Sequence, residues 1–208
     1  MIQNEHMMNQ HFTPQADPTT MDMLFHNART FSGFEDRPVD PALLRQAVEI
    51  ALIGPTAMNS LPMRVMFLAK GAERAKLLPF MSQGNLAKTE AAPVTAVVGH
   101  DTAFFEHLPQ LFPHFPGARD SFANDPAVAE RSGLQSSALQ IGYLLIALRS
   151  LGLDCGPMAG FKAPEASAAL VPDGSFAASL VINIGYGKHD TLRPRLPRLT
   201  ADQVMLKP

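Results

Sequence analysis

At 208 residues the chain is long enough for a single domain with a proper hydrophobic core. A formal net charge of -2, with 17% charged and 46% hydrophobic residues, excludes the basic footprint of a nucleic-acid surface and leaves few charges to cover an exposed one, as in an oligomer that buries extra apolar area. A single cysteine, Cys155, excludes an intrachain disulfide and any Cys-pair metal site.

No apolar run reaches membrane-spanning length, and the first residues, MIQNEHMMNQHFTPQA, lack the apolar core of a signal peptide. The expectation is a cytoplasmic protein with a flexible tail over residues 1–20 and one domain over 21–208. Pro18 to Ala28 reads as a short helix, with Met21, Leu24, Phe25 and Ala28 on one face. Asp40-Pro41 opens a clearer one, because Asp caps and Pro suits the first turn; Gly54-Pro55 stops it. Arg64 to Ala69 reads as a strand, Glu73 to Met81 as a helix weakened by Pro79, and PVTAVVG (Pro93 to Gly99) as a buried strand.

The stretch from Phe104 to Pro126, with its FFEHLPQLFPHFPG, has no sustained period. A packed surface loop and a substrate lid both fit it. Asp125-Pro126 then starts the longest helix, which Gly152 closes and whose IGYLLIAL half is too apolar to be superficial. A shorter helix follows from Pro164, SLVINIGY (Ser179 to Tyr186) reads as a last core strand, and the tail beyond Gly187 is basic, Pro-rich and extended. Helices outnumber strands and no regular βαβ unit is present. The fold class is therefore α+β: a small central sheet flanked by helices, a long central helix and a C-terminal extension.

Four polar stations ringed by Gly or Pro interrupt these elements: GPTAMNSLP (Gly54 to Pro62), GNLAK (Gly84 to Lys88), LDCGPMAGF (Leu153 to Phe161) and LRPRLPRL (Leu192 to Leu199). In an extended segment Arg193 and Arg195 share one side, a clamp suited to a phosphate, although three arginines near a C-terminus are more often a solvated tail. Asn85 and Lys88, three apart, share a face if helical and suit a planar heterocycle with an imide edge. Gly156 and Gly160 let main-chain N–H groups approach a ligand, or make a tight connection. Thr56, Asn59 and Ser60 make a polar corner that also reads as a turn.

Elsewhere, Cys155 has no His at motif spacing and reads as a structural thiol. His100, His107 and His114 are too irregularly spaced for a metal site, and Gly185-Tyr186-Gly187 lacks the third glycine and following helix of a dinucleotide fingerprint.

In this order the four stations resemble those of the FMN-dependent nitroreductase family, over nearly the whole chain after about Met21. GPTAMNSLPMRVMFL, QGNLAKTEAAPVTAVV, LFPH, LGLDCGPMAGF and LVINIGYG followed by RLPRL are most similar to the branch containing malonic semialdehyde reductase of pyrimidine degradation. The resemblance implies FMN as cofactor, NADH or NADPH as electron donor, and a homodimer with its FMN sites at the subunit interface. It implies ping-pong hydride transfer through flavin N5 to a small-molecule acceptor. Malonic semialdehyde reduced to 3-hydroxypropanoate leads, and a broad nitro or quinone reductase is the alternative.

Position by position, the resemblance puts Arg29 and Thr30 where an Arg-Ser pair reaches the ribityl phosphate, with Arg193 and Arg195 on the same phosphate. Asn85 falls at the pyrimidine edge, Lys88 near N1 and the C2 carbonyl, and Pro157, Ala159 and Gly160 on the loop facing N5; Lys88, Ala159 and Gly160 are thus the candidates closest to the chemistry. Pro55, Thr56, Ala57 and Asn59 would come from the second subunit. The chain departs from the family twice. Ala159 replaces a frequent Glu, and Ser32 replaces the usual second basic residue of the early motif. These departures leave open a flavin-binding carrier without turnover.

Overall fold

Asp40 and Pro41 do what their chemistry requires in the computed structural model, which describes residues 15–206. The Asp40 carboxylate accepts the Ala42 N–H at 2.9 Å, and the helix runs Pro41–Ala51. It is the second helix, α2. The first, α1 (Pro18–Met21), is capped by Asp17 and passes into a π-helical turn at Asp22–His26, so the expected helix is two short pieces. Residues 1–14 of the expected tail lie outside the described residues.

Then follow β1 (Met63–Ala69), α3 (Ala72–Leu77), α4 (Gln83–Ala91) and β2 (Val94–Asp101). The expected helix to Met81 ends as α3 at Leu77, and Pro79 sits in a 3₁₀ turn, Leu78–Phe80. The Phe/Pro-rich stretch folds as a 3₁₀ turn, α5 (Leu108–Leu111) and α6 (Ala118–Ala123) around a small core of Phe104, Leu108, Ala118, Phe122 and Ala129. α7 (Pro126–Ser150) is 25 residues long, about 37 Å at the usual rise. The chain goes on with β3 (Asp154–Met158), α8 (Ala163–Leu170) and β4 (Phe176–Gly185), and the tail, expected to be extended throughout, contains a 3₁₀ turn at His189–Thr191 and a short α9 (Ala201–Val204).

The sheet is antiparallel throughout, in the order β1-β2-β4-β3. Val94, Ala96, Val98, Ile182 and Ile184 pack with α2 and α7 on one face, while Val97, Val181 and Met158 pack with α3 and α8 on the other. Burial on both faces explains why PVTAVVG is apolar without alternation. β3 was not readable as a strand because DCGPM carries Gly and Pro. It lies at the sheet edge, where a missing N–H costs no ladder bond.

That edge is continued by the early segment. Thr30 bridges Cys155 in parallel, and the Phe31 N–H donates to the Cys155 carbonyl at 3.0 Å. The approach requires Gly156, since a Cβ there would lie 2.3 Å from the Phe31 carbonyl oxygen.

The other anchor is polar. Arg74 is 2% exposed, and its guanidinium donates to the Thr89 carbonyl at 3.2 Å, Leu68 at 2.8 Å and Pro93 at 2.9 Å, and to Ala92. Asn183 donates to the Lys88 carbonyl at 3.1 Å and accepts from Thr95 Oγ1 at 3.0 Å. The last turn of α4 is thereby tied to α3 and β4.

Replacing Arg74 with Met leaves these carbonyls without donors. Arg74→Met should lower the unfolding free energy by about 3 kcal/mol, read as a lower urea midpoint at an unchanged m-value. A midpoint equal to the parent's would mean that water satisfies the helix end. Gly156→Ala should push Phe31 off β3 and speed exchange of its amide about tenfold to hundredfold, measured by hydrogen–deuterium exchange. Unchanged protection would show that the early segment does not depend on that edge.

Candidate functional site

A cleft of about 850 Å³ opens where the early segment meets the C-terminal tail. The segment Leu24–Ser32, the tail Thr191–Arg198, Lys88 of α4 and Arg149 of α7 supply its walls. The basic residues Arg29, Lys88, Arg149, Arg193, Arg195 and Arg198 all line it, and among the described residues no acidic one does. Its size lies within the usual range for small-ligand sites, about 300–1,000 Å³.

Each wall has a local cause. Arg29, Thr30 and Ser32 are placed by the pairing of their segment with β3. Glu35 N–H donates to the Tyr186 carbonyl and Lys188 N–H to the Gly33 carbonyl, which fix the other side of that segment. The prolines hold Arg193 and Arg195 on extended backbone, as expected from LRPRLP. Arg29 Nη2 then donates to the Arg193 carbonyl at 2.5 Å, and Arg195 Nη2 to the carbonyls of His26 at 2.6 Å and Ala28 at 3.0 Å. These bonds stitch the tail to the early segment.

GNLAK is helical, within α4, so Asn85 and Lys88 share one face with Cβ atoms roughly 5–6 Å apart. Lys88 lines the cleft. Asn85 points one turn away, where Nδ2 donates to the Gly160 carbonyl at 3.0 Å; the Ser82 N–H reaches the same oxygen at 3.0 Å. Ala159 and Gly160 are exposed, and a Cβ at Gly160 would come within 2.6 Å of Asn85 Nδ2. Pro157 precedes them in β3.

The structure thus brings together Arg29, Thr30, Ser32, Lys88, Arg193 and Arg195 as one group, and Asn85 with Gly160 as an adjoining pair. Pro55, Thr56, Ala57 and Asn59 line no part of the cleft. They form a turn against α5 and α7: Asn59 Nδ2 donates to the Leu111 carbonyl at 3.0 Å and the Ala57 N–H to Ser136 Oγ at 3.3 Å. Met58, Asn59 and Leu61 there have positive φ values of 51°, 50° and 43°, a backbone shape that side-chain-bearing residues resist.

Arg149 was not found from the sequence. Its signal was the single charge breaking the apolar run IGYLLIALRSLG, in the last turn of α7. Cys155, beside it, is fully buried, and burial pushes its thiol up to about 12 against the smaller opposing pull of Arg149, so it is inert at neutral pH. His100 is also buried, which pushes its pKa below the ordinary imidazole value despite Glu130 and Asp101. Among the described residues no group of three or more His, Cys, Asp or Glu is placed to hold a metal ion, and no helix is long and apolar enough to cross a membrane.

The donor set fits FMN. Guanidinium forks match phosphate oxygens, the Lys88 ammonium lines the same cleft, and Asn85, one helical turn from Lys88, holds the exposed Ala159–Gly160 backbone through the Gly160 carbonyl.

Residues 27–186 match the nitroreductase family. A protein from Leptothrix cholodnii, named for NADH dehydrogenase/NAD(P)H nitroreductase, is 47% identical over 190 residues, 91% of this chain and 96% of its own. One of the same description from Ralstonia nicotianae is 46% identical over 190 residues, 91% and 97% of the two chains. The crystal structure described as a nitroreductase in complex with FMN from Exiguobacterium sibiricum shares the fold at a TM-score of 0.79 and 17% identity, covering 94% of this chain and 100% of that one. A nitroreductase family protein from Streptococcus pneumoniae superposes at 0.72 with 24% identity, over 87% and 96%. With its sheet order, its basic cleft and these relatives in agreement, the chain belongs to the nitroreductase family.

Proposed function

We propose that this protein is an FMN-dependent NAD(P)H oxidoreductase, a cytoplasmic homodimer with one cofactor-binding domain over residues 21–208, whose acceptor is malonic semialdehyde, reduced to 3-hydroxypropanoate. The observation that carries the reading is the cleft in which basic side chains from four separate segments, and no acidic one among the described residues, face one volume. Bound FMN supplies a hydride acceptor and donor at N5, so that NAD(P)H and the substrate use one face in turn, with ping-pong kinetics.

The chain's own residues do the rest. Arg29, Thr30, Ser32, Arg193 and Arg195 hold the phosphate, and Asn85 aligns the polar ring edge. Lys88 keeps an ammonium on the cleft wall, where it stabilises negative charge on a ligand without reorganising. Pro157, Ala159 and Gly160 offer main chain without bulk beside the reacting face. Among the described residues no carboxylate lines the cleft, so the proton for the product hydroxyl is assigned to water.

Pro55, Thr56, Ala57 and Asn59 complete the neighbouring subunit's site. Supporting this, the turn that carries them is flanked by exposed apolar side chains, Ile53 at 79% exposure and Leu134, Leu139 and Tyr143 on α7, a face that a second copy would cover. The Phe/Pro-rich segment 104–116, which packs against that same turn through α5, then sets acceptor choice. A second reading, a broad nitro or quinone reductase, is favoured by the names of the relatives above 45% identity.

The purified protein, loaded with FMN and freed of excess, should show flavin bands that bleach anaerobically with NADH or NADPH. Bands that persist would make it a carrier, and absent bands would overturn the cofactor. Side-by-side kcat/KM values decide the acceptor: a value for nitroaromatics far above that for malonic semialdehyde sinks the aldehyde assignment. Lys88→Ala should keep its fold and its flavin but be reduced by NADH about 10²-fold more slowly. An unchanged stopped-flow rate would remove Lys88 from the chemistry.

A further inference from the structure

The early motif of this chain is short of charge. Ser32, where a second basic residue would stand beside Arg29, brings a hydroxyl only. Two of the remaining arginines are partly committed to the fold: Arg29 Nη2 to the Arg193 carbonyl, and Arg195 Nη2 to the carbonyls of His26 and Ala28. Arg198 Nη1 is turned back on the carbonyls of Leu196 and Pro197.

Arg149 differs from these. It stands in the last turn of α7, a helix packed on α2 and the sheet, and so is the arginine of the cleft with the most rigid base. Among the described residues no carboxylate pairs with it, and its one hydrogen bond, to the Leu24 carbonyl, is 3.5 Å long. Its guanidinium keeps nearly all of its donors while lining the same cleft as Arg29 and Ser32. A basic residue at a helix C-terminus also interacts favourably with the helix dipole, but that role needs no place in a ligand cleft.

We infer that Arg149 is a phosphate-binding residue of this protein, supplying from α7 the positive charge that Ser32 withholds from the early motif. The inference deepens the proposed function and rests on its reading of the cleft as an FMN site.

The test uses FMN and riboflavin, which differ only in the phosphate, with binding followed by quenching of flavin fluorescence and folding by circular dichroism. Arg149→Ala should weaken FMN about tenfold to hundredfold and leave riboflavin unchanged. Ser32→Lys, added to Arg149→Ala, should recover most of the lost FMN affinity. Equal effects on the two flavins, or none on either, would overturn the assignment and make Arg149 a structural residue. Should Arg149→Ala not fold, Arg149→Lys decides: it keeps the charge but loses the fork, so FMN should weaken roughly threefold to tenfold with riboflavin unmoved, and unaltered FMN binding overturns the role. Parent protein that takes up neither flavin would instead overturn the cofactor reading itself.

Discussion

The buried guanidinium of Arg74, closing the carbonyl end of α4, is the interaction on which the cleft depends. A helix C-terminus leaves four carbonyls without intrahelical donors, and this one ends against the sheet, where water is scarce. α4 has little apolar surface to hold it there, since Thr89 is its only buried residue. Polar anchors take that part. Arg74 takes the carbonyls of Thr89, Ala92 and Pro93, and Asn183 takes that of Lys88. Burying the charge lowers the Arg74 pKa through desolvation, yet several carbonyl dipoles converge on it, so the guanidinium remains the favoured form. The result is a short polar helix fixed closely enough to present Lys88 to the cleft and Asn85 to Gly160.

The arginines serve two tasks by the same logic. Those that bond backbone carbonyls join distant parts of the chain: Arg29 reaches Arg193, and Arg195 reaches His26 and Ala28. All of them keep their charge, and with Lys88, Arg149, Arg193 and Arg198 they make the cleft strongly positive. A positive volume without a carboxylate is unfavourable in the empty protein, because like charges repel at short range. It becomes favourable once a dianion occupies it, and that asymmetry is what a phosphate site requires.

Most of the scaffold was legible in the sequence because its signals are local. Asp40-Pro41 and Asp125-Pro126 cap α2 and α7 as they should, and PVTAVVG and SLVINIGY are the two central strands. β3 was missed because DCGPM is a poor strand by propensity, and only its position at an edge, bridged by Thr30, makes it one. Of the site, the charged stations were legible by residue type. What each arginine does was not, since Arg195 reaches a carbonyl 169 positions away in sequence. Arg149 stayed hidden for a related reason: a lone basic residue in an apolar run looks like a helix end until the fold brings it to the same cleft as Ser32.

The cleft also joins the chain to itself. Its early and late walls belong to segments that meet through a few carbonyl bonds, and the tail exposes Leu196 at 75% and Leu199 at 69%. Little apolar burial holds that tail in place, so its order rests on hydrogen bonds that water can replace at small net cost. If the proposed phosphate site holds, a phosphate gripped from both walls would add a third tie, to α7, that water cannot mimic. Ligand binding and docking of the Thr191–Arg198 segment on the early segment would then be one equilibrium: the ligand would stabilise the docked form by its binding free energy, and loss of that segment's order would weaken the ligand by the same amount.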